Sequence, residues 1–304
     1  MTKFLLFTRN FKQTTVLLIF LLLGCEQPRR TADALFYQVT EGLSNYNLKS
    51  PDAKYFLPYV LEEISGLSYV SPGVIACVQD EEGKIFFYNH RTRKIVLEIR
   101  FGKSGDYEGI EVVGNKAYVI NSKGDIYSFP FEQFHLSKVE KLKTELNKTN
   151  DTEGLAYNPS NNSLIIACKG EAGLKSKKKK GRGFYNFSLD DNKFNSKIQF
   201  NIKKKDIKEF LENYKDFEYE SNRINFHPSG IAVHPTTNLL YIIASTGKLM
   251  LITDLDGTIK GSVPLDPRLL GQPEGICFAP NGDMFISSEG QGDKGYILKF
   301  DMKK

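Results

Sequence analysis

Five short motifs hold the residues of this chain whose types and spacing could do chemistry. Each motif is a Glu or Ser followed by Gly and an aliphatic residue, and successive copies lie 43, 45, 76 and 45 residues apart. The motifs begin at Ser65, Glu108, Glu153, Ser229 and Glu274. If these positions meet at one place, three carboxylates repel each other unless they take up protons or a cation sits among them.

Calcium is the cation that such a ring of oxygen atoms suits best. Ca²⁺ accepts oxygen ligands in flexible geometry, whereas Mg²⁺ requires a stricter octahedron. We therefore expect Ca²⁺ at a ring made of Ser65, Glu108, Glu153, Ser229 and Glu274. The alternative stays open that each Glu or Ser binds amides at a strand end and each Gly serves a turn.

The elements that position these residues are short strands in a repeat of mid-forties length, which is typical of β-propeller blades. Each motif opens a strand, a turn with Pro, Asn or Gly follows, and two further apolar strands come next. In a propeller the first strand of every blade lines the central channel, so equivalent positions become one ring. The sequence predicts an all-β, five-bladed β-propeller, and six blades are the alternative.

The 76-residue interval between the third and fourth motifs decides between five and six blades. Ile207, Phe210, Leu211 and Tyr214 follow a helical period in it, and Asp206 followed by Glu209 resembles a capping box. We therefore expect an inserted helix over residues 206–217 and five blades. The last repeat lacks a fourth strand, which a strand near Tyr46–Pro58 can supply to close the ring.

The first 44 residues are predicted to be targeting and tether rather than fold. Residues 1–24 have a basic start and a short apolar run, and Leu22-Leu23-Gly24-Cys25 resembles a bacterial lipobox. We expect a signal peptide over 1–24, lipidation of Cys25, a tether over 25–44 and the propeller over 45–304. Membrane attachment through Cys25 places the protein in the cell envelope, and Glu26 in place of Asp favours the outer membrane.

Charge and cysteine usage exclude several classes of function. The net charge is +5, and removal of Lys3, Arg9 and Lys12 with the signal peptide leaves a nearly balanced protein. That balance argues against a nucleic-acid partner. Cys77, Cys168 and Cys277 show no CxxC spacing and are expected to be buried thiols rather than a zinc site or disulfides.

The ends of the second strands are expected to gather around the channel mouth and to form a ligand-binding face. The candidates there are Lys169, Glu171, Glu289 and Asn121, of which the first three could position an anionic ligand and a metal. The alternative that these are solvated loop ends also stays open.

Several segments resemble the SdiA-regulated family of bacterial envelope proteins. They are EISGLSY (Glu63–Tyr69), GDYEGIE, DTEGLAYNP, HPSGIAVHP and PEGICFAPNGDMFISSEG. The resemblance covers most of residues 45–304 and implies a five-bladed propeller of NHL-like or phytase-like kind, in a family without an established activity. The order Ser, Glu, Glu, Ser, Glu is also similar to the axial calcium ring of the calcium-activated apyrases, in the ring pattern alone.

Two hypotheses of function follow. The first is a lipid-anchored propeller that binds a central calcium ion and serves as a binding module for a partner protein or a small anionic ligand. The alternative is a calcium-dependent phosphoester hydrolase of phytase-like or nucleotidase-like kind. No catalytic acid and base pair can be assigned from the sequence, so the first hypothesis is favoured.

Overall fold

The strands of this protein form five antiparallel sheets arranged as the blades of a propeller. The computed structural model describes residues 45–131, 139–174, 179–213 and 224–303. The predicted segments 1–24 and 25–44, with Cys25, lie outside the described residues. The prediction of five blades is confirmed, and the alternative of six is wrong.

Four strands make each of the first two blades. The first contains β2 (Ile64–Ser71), β3 (Val74–Gln79), β4 (Lys84–Asn89) and β5 (Lys94–Arg100). The second contains β6 (Tyr107–Val113), β7 (Lys116–Asn121), β8 (Ile126–Pro130) and β9 (Glu140–Leu142).

The third blade has an additional short strand. It consists of β10 (Thr152–Asn158), β11 (Ser163–Cys168), β12 (Arg182–Ser188), β13 (Lys193–Phe194) and β14 (Phe200–Ile202), and both short strands pair with β12. The fourth blade consists of β15 (Gly230–Val233), β16 (Leu240–Ala244), β17 (Leu249–Thr253) and β18 (Ile259–Pro264).

The fifth blade joins the two ends of the described chain. Its strands are β19 (Pro273–Phe278), β20 (Met284–Ser288), β21 (Tyr296–Phe300) and β1 (Ala53–Phe56), and β1 pairs antiparallel with β21 from Ala53↔Lys299 to Phe56↔Tyr296. A short 3-10 helix (Tyr59–Leu61) leads from β1 into the first blade. The predicted closure by an N-terminal strand is therefore confirmed.

Apolar patterning follows the position of each strand in its blade. Every residue of β11 and β16 is buried, because these strands lie between two neighbouring blades and need apolar side chains on both faces. The outer strand β5 alternates between exposed and less exposed residues, as expected for a strand with one solvated face. Five clusters of buried apolar residues fill the interfaces between consecutive blades.

One helix, α1 (Lys204–Glu212), occupies part of the long interval after the third blade. It begins and ends earlier than the predicted helix over 206–217, and residues 214–223 lie outside the described part. Asp206 is the third residue of the helix, where its Oδ2 accepts the Lys203 amide at 2.8 Å. The sequence predicts that the helix begins at Asp206, but the N-cap is Lys203 and the helix begins at Lys204. Ile207 and Leu211 pack into the cluster between the third and fourth blades.

The N-terminal end of the described chain is held against the fifth blade. The Tyr46 hydroxyl donates to the Gly282 carbonyl at 2.6 Å and lies 2.8 Å from His234 Nε2. His234 Nδ1 accepts the amides of Thr236 and Thr237, so the proton of the neutral ring resides on Nε2 and is donated to Tyr46. Among the described residues, no helix is long and apolar enough to cross a bilayer.

Candidate functional site

β-Bulges place the motif residues at the mouth of the central channel. In four blades the pairing between the first and second strands shifts register across the motif residue, at Ser65, Glu108, Glu153 and Glu274. A bulge turns the extra residue out of the regular alternation and re-aims its side chain. In the fourth blade β15 begins directly after Ser229, so this residue also precedes the regular ladder.

The motif glycines allow neighbouring blades to meet at the axis. A Cβ on Gly66 would lie 2.9 Å from the backbone nitrogen of Ile110 in the next blade, and one on Gly109 would lie 2.9 Å from the Glu153 carbonyl oxygen. Gly275 of the fifth blade faces Leu67 of the first, which completes the circle. Each glycine therefore serves close approach between blades, and its φ is not in the left-handed region.

Four of the five predicted ring residues line one narrow cavity at the axis. They are Glu108, Glu153, Ser229 and Glu274, and the free volume is about 10 Å³, roughly the space of one water-sized sphere. Ser65 is the exception. It does not line this cavity, and its hydroxyl donates to the Glu63 carbonyl at 3.3 Å.

A lysine already neutralises one of the ring carboxylates. Lys169 Nζ lies 2.7 Å from Glu153 Oε1, and the two side chains are 36% and 5% exposed. Lys169 follows directly after β11, and its amide donates to the Asp151 carbonyl at 2.7 Å. A residue predicted for the ligand face is thus a partner of the ring.

Ser229 connects the fourth and fifth blades. Its hydroxyl donates to the Pro273 carbonyl at 2.6 Å and accepts the Ser245 amide at 3.1 Å. These bonds occupy its proton and one lone pair. The remaining lone pair is what this side chain could offer to a cation.

The electrostatics of the ring favour protonation or an added positive charge. Burial, and then the neighbouring Glu153, raise the pKa of Glu108. Burial also raises the pKa values of Glu153 and Glu274, although Lys169 opposes both shifts. The cause is the loss of hydration of charged carboxylates in a confined space.

The predicted ligand face divides into engaged and free side chains. Asn121 Oδ1 accepts the amides of Lys123 and Asp125 and so closes the turn after β7. Glu289 accepts a short hydrogen bond from Gln272 Nε2, whereas Glu171 is exposed. Asn121 therefore has a structural function in the turn, which the sequence analysis did not anticipate.

Two acidic residues with raised pKa values, Glu111 and Asp80, were not predicted from the sequence. Glu111 accepts hydrogen bonds from the Ser68 hydroxyl at 3.0 Å and the Tyr157 amide at 3.2 Å, which ties three blades together, and burial raises its pKa to about 7. Burial, and then Glu63, raise the pKa of Asp80 to about 6. A signal for Glu111 was present, because it stands two residues after a motif glycine, where the other repeats have Ser, Ala or Cys.

The described residues contain no group of three or more His, Cys, Asp or Glu side chains placed to hold a metal ion. The three ring carboxylates share the cavity without converging on one point. Cys77, Cys168 and Cys277 are buried free thiols, as expected.

Comparison with known proteins gives a family and a fold. The family model described as SdiA-regulated matches residues 42–291. Curated protein sequences gave no match. The crystal structure of Myxococcus xanthus glutaminyl cyclase is similar, with a TM-score of 0.56 at 14% identity over 84% of this chain and 97% of that one.

A structure of luciferin-regenerating enzyme has a TM-score of 0.46 at 12% identity, over 83% of this chain and 95% of that one. At these identities the likeness to the cyclase concerns the fold alone.

Proposed function

We propose that this protein, which belongs to the SdiA-regulated family and folds as a five-bladed propeller, is a binding module whose channel mouth takes up a calcium ion. One observation carries the proposal: Glu108, Glu153 and Glu274 come from three blades to one confined cavity. Their raised pKa values mean that added positive charge would stabilise the folded protein.

The donor set fits calcium in its chemistry. Among the residues that line the cavity, Glu108, Glu153, Glu274 and Ser229 carry side-chain oxygens of the kind that Ca²⁺ accepts, and the others are the motif glycines and the aliphatic residues after them. Because Lys169 is bonded to Glu153, the ion would enter a ring that is partly neutralised. A bound ion would supply positive charge that links three blades.

Calcium uptake is tested by isothermal titration calorimetry of the purified protein. We expect Glu153→Gln and Glu274→Gln to weaken binding by about tenfold or more each, since each removes a charged ligand. Glu98→Gln is the matched control, because Glu98 is a half-exposed carboxylate on β5 that pairs with Lys84 at 3.4 Å. Absence of heat and of thermal stabilisation by Ca²⁺ in the unmodified protein would refute the calcium site.

The face around the ring is proposed to bind a partner protein or a small anionic ligand. Lys169 contacts the ring at Glu153, Glu171 is exposed two residues later, and burial and Glu274 raise the pKa of Glu289 to about 7. A calcium-dependent phosphoester hydrolase is the second candidate, supported by a lysine next to buried carboxylates. Phosphatase turnover that chelator and Glu153→Gln both abolish would favour the hydrolase over the binding module.

Attachment to the cell envelope is proposed to depend on Cys25. The residue follows a lipobox-like sequence, and a diacylglycerol group joined to its sulfur by a thioether bond would anchor the protein stably in a membrane. Metabolic labelling with an alkyne fatty acid should mark the protein that has Cys25 and fail to mark the Cys25→Ser variant. Labelling that persists in Cys25→Ser would disprove lipidation at this residue.

A further inference from the structure

We propose that Lys169 is the internal counter-ion of the ring and competes with a divalent cation for Glu153, so that it sets the cation affinity and selectivity of the site. This inference rests on the proposed calcium site. From the sequence, Lys169 is instead predicted to position an anionic ligand.

The contact is built so that the lysine can leave without disturbing the core. Glu153 is fixed in a β-bulge and its side chain is 5% exposed, whereas the side chain of Lys169 is 36% exposed. The backbone of Lys169 is held by its amide bond to the Asp151 carbonyl. Rotation of the lysine side chain toward solvent would therefore free Glu153 Oε1 and leave the blade in place.

A second lysine at the ring behaves differently. Lys248 Nζ donates to the Ser245 carbonyl at 2.7 Å and influences Glu274 only through space. Among the described residues, Lys169 is thus the lysine that directly contacts a carboxylate of the cavity. A cation that takes the lone pair of Glu153 Oε1 used by Lys169 must replace the ammonium group there.

The competition favours divalent over monovalent cations. Exchange of the ammonium for Na⁺ leaves the charge of the ring unchanged, whereas exchange for Ca²⁺ adds one positive charge among three crowded carboxylates. A ring without the lysine would lose this discrimination. Lys169→Gln should therefore bind Ca²⁺ more tightly and also become sensitive to Na⁺.

Calorimetry with CaCl₂ on the purified protein tests the competition. We expect Lys169→Gln to bind Ca²⁺ about tenfold more tightly than the unmodified protein. We also expect about 100 mM NaCl, at which the Debye length is about 10 Å, to weaken Ca²⁺ binding by this variant more than by the unmodified protein. Lys169→Arg keeps the charge and should not gain affinity. Lys205→Gln is the charge-matched control, because Lys205 pairs with Glu209 at 3.3 Å on the exposed side of α1.

A second measurement separates displacement from a simple change of charge. The rate of acetylation of Lys169, measured by mass spectrometry, should rise several-fold when CaCl₂ is added, while Lys205 in the same sample stays constant. Calcium binding with an unchanged or slower Lys169 rate, or a Lys169→Gln variant that binds no more tightly, overturns the inference and leaves the calcium site standing. Absence of binding by the unmodified protein overturns the calcium site and, with it, the inference that rests on that site.

Discussion

At the scale of single residues, the motif combines two separate requirements. In four of the five copies the Glu or Ser stands in a β-bulge of the first strand, and the Gly after it lets the neighbouring blade approach. The aliphatic residue that follows is buried in every copy, as Leu67, Ile110 and Leu155 illustrate. The recurrence of the motif therefore reflects packing at the axis as well as the chemistry of the ring.

The packing requirement predicts a large effect of a single methyl group at Gly66. Gly66→Ala should lower the free energy of unfolding by about 1–3 kcal/mol, because its Cβ would press on backbone atoms of Ile110 and Gly109 that cannot rotate away. Gly271→Ala is the control, since the nearest atom, Gln291 Oε1, would lie 3.8 Å from its Cβ. Chemical denaturation of both variants measures the difference, and equal stabilities would contradict the close-approach function.

At the scale of elements, closure of the ring depends on the segment that contains β1 and the 3-10 helix. Leu57 is 1% exposed and lies with Leu61 in the cluster between the fifth and first blades. The Leu57 amide donates to the Gly295 carbonyl at 2.8 Å, which continues the pairing with the last blade. The segment thus joins the two ends of the chain by backbone bonds and by apolar burial.

Two adjacent residues of this segment should respond very differently to truncation. Leu57→Ala should cost about 2–5 kcal/mol, because it leaves a cavity at a closed interface. Phe56→Ala should cost less than about 1 kcal/mol, since that side chain is 55% exposed and makes mainly edge contacts with Tyr296. Thermal and urea melts would show the contrast, and a larger loss from Phe56→Ala would argue that solvent-side contacts hold the closure.

At the scale of the whole molecule, the channel mouth is a shared electrostatic property of several blades. Burial raises the pKa of Glu289 to about 7, and carboxylates of the fifth and first blades, Glu274, Asp80 and Glu63, add to the shift. A protein that contains an acid with a raised pKa in the folded state loses stability as the pH rises from the unfolded-state pKa of that acid, about 4.3 for Glu, toward the folded-state pKa. No single blade contains this arrangement.

The difference in melting temperature between Glu289→Gln and the unmodified protein, both measured in the presence of a chelator, tests the sign of this effect. The variant should gain melting temperature relative to the unmodified protein between pH 5 and pH 8, by a few degrees. Glutamine at position 289 can still accept the hydrogen bond from Gln272. Burial lowers the pKa values of His90, His227 and His234, but their contribution to the pH dependence is the same in both proteins and cancels in the difference. A constant or opposite difference would show that Glu289 is not destabilised by its neighbours.

Calcium should act on the same molecule-wide property. If the ion binds at the ring, added CaCl₂ should raise the melting temperature more at pH 8 than at pH 5, where the carboxylates hold protons and compete with the ion. Differential scanning fluorimetry at both pH values measures this. Equal shifts at the two pH values would point to binding elsewhere on the surface.

The sequence by itself determined the repeat, the blade count, the closing strand and the common cavity that Glu108, Glu153 and Glu274 line. These follow from period and alternation, which are local properties of the chain and which blade stacking converts into a common axis. Only the tertiary structure decided that Ser65 turns away from the cavity, that Lys169 reaches Glu153 and that Glu111 ties three blades. Such contacts depend on side-chain direction at bulges and on distances between blades, and residue type and spacing do not encode either.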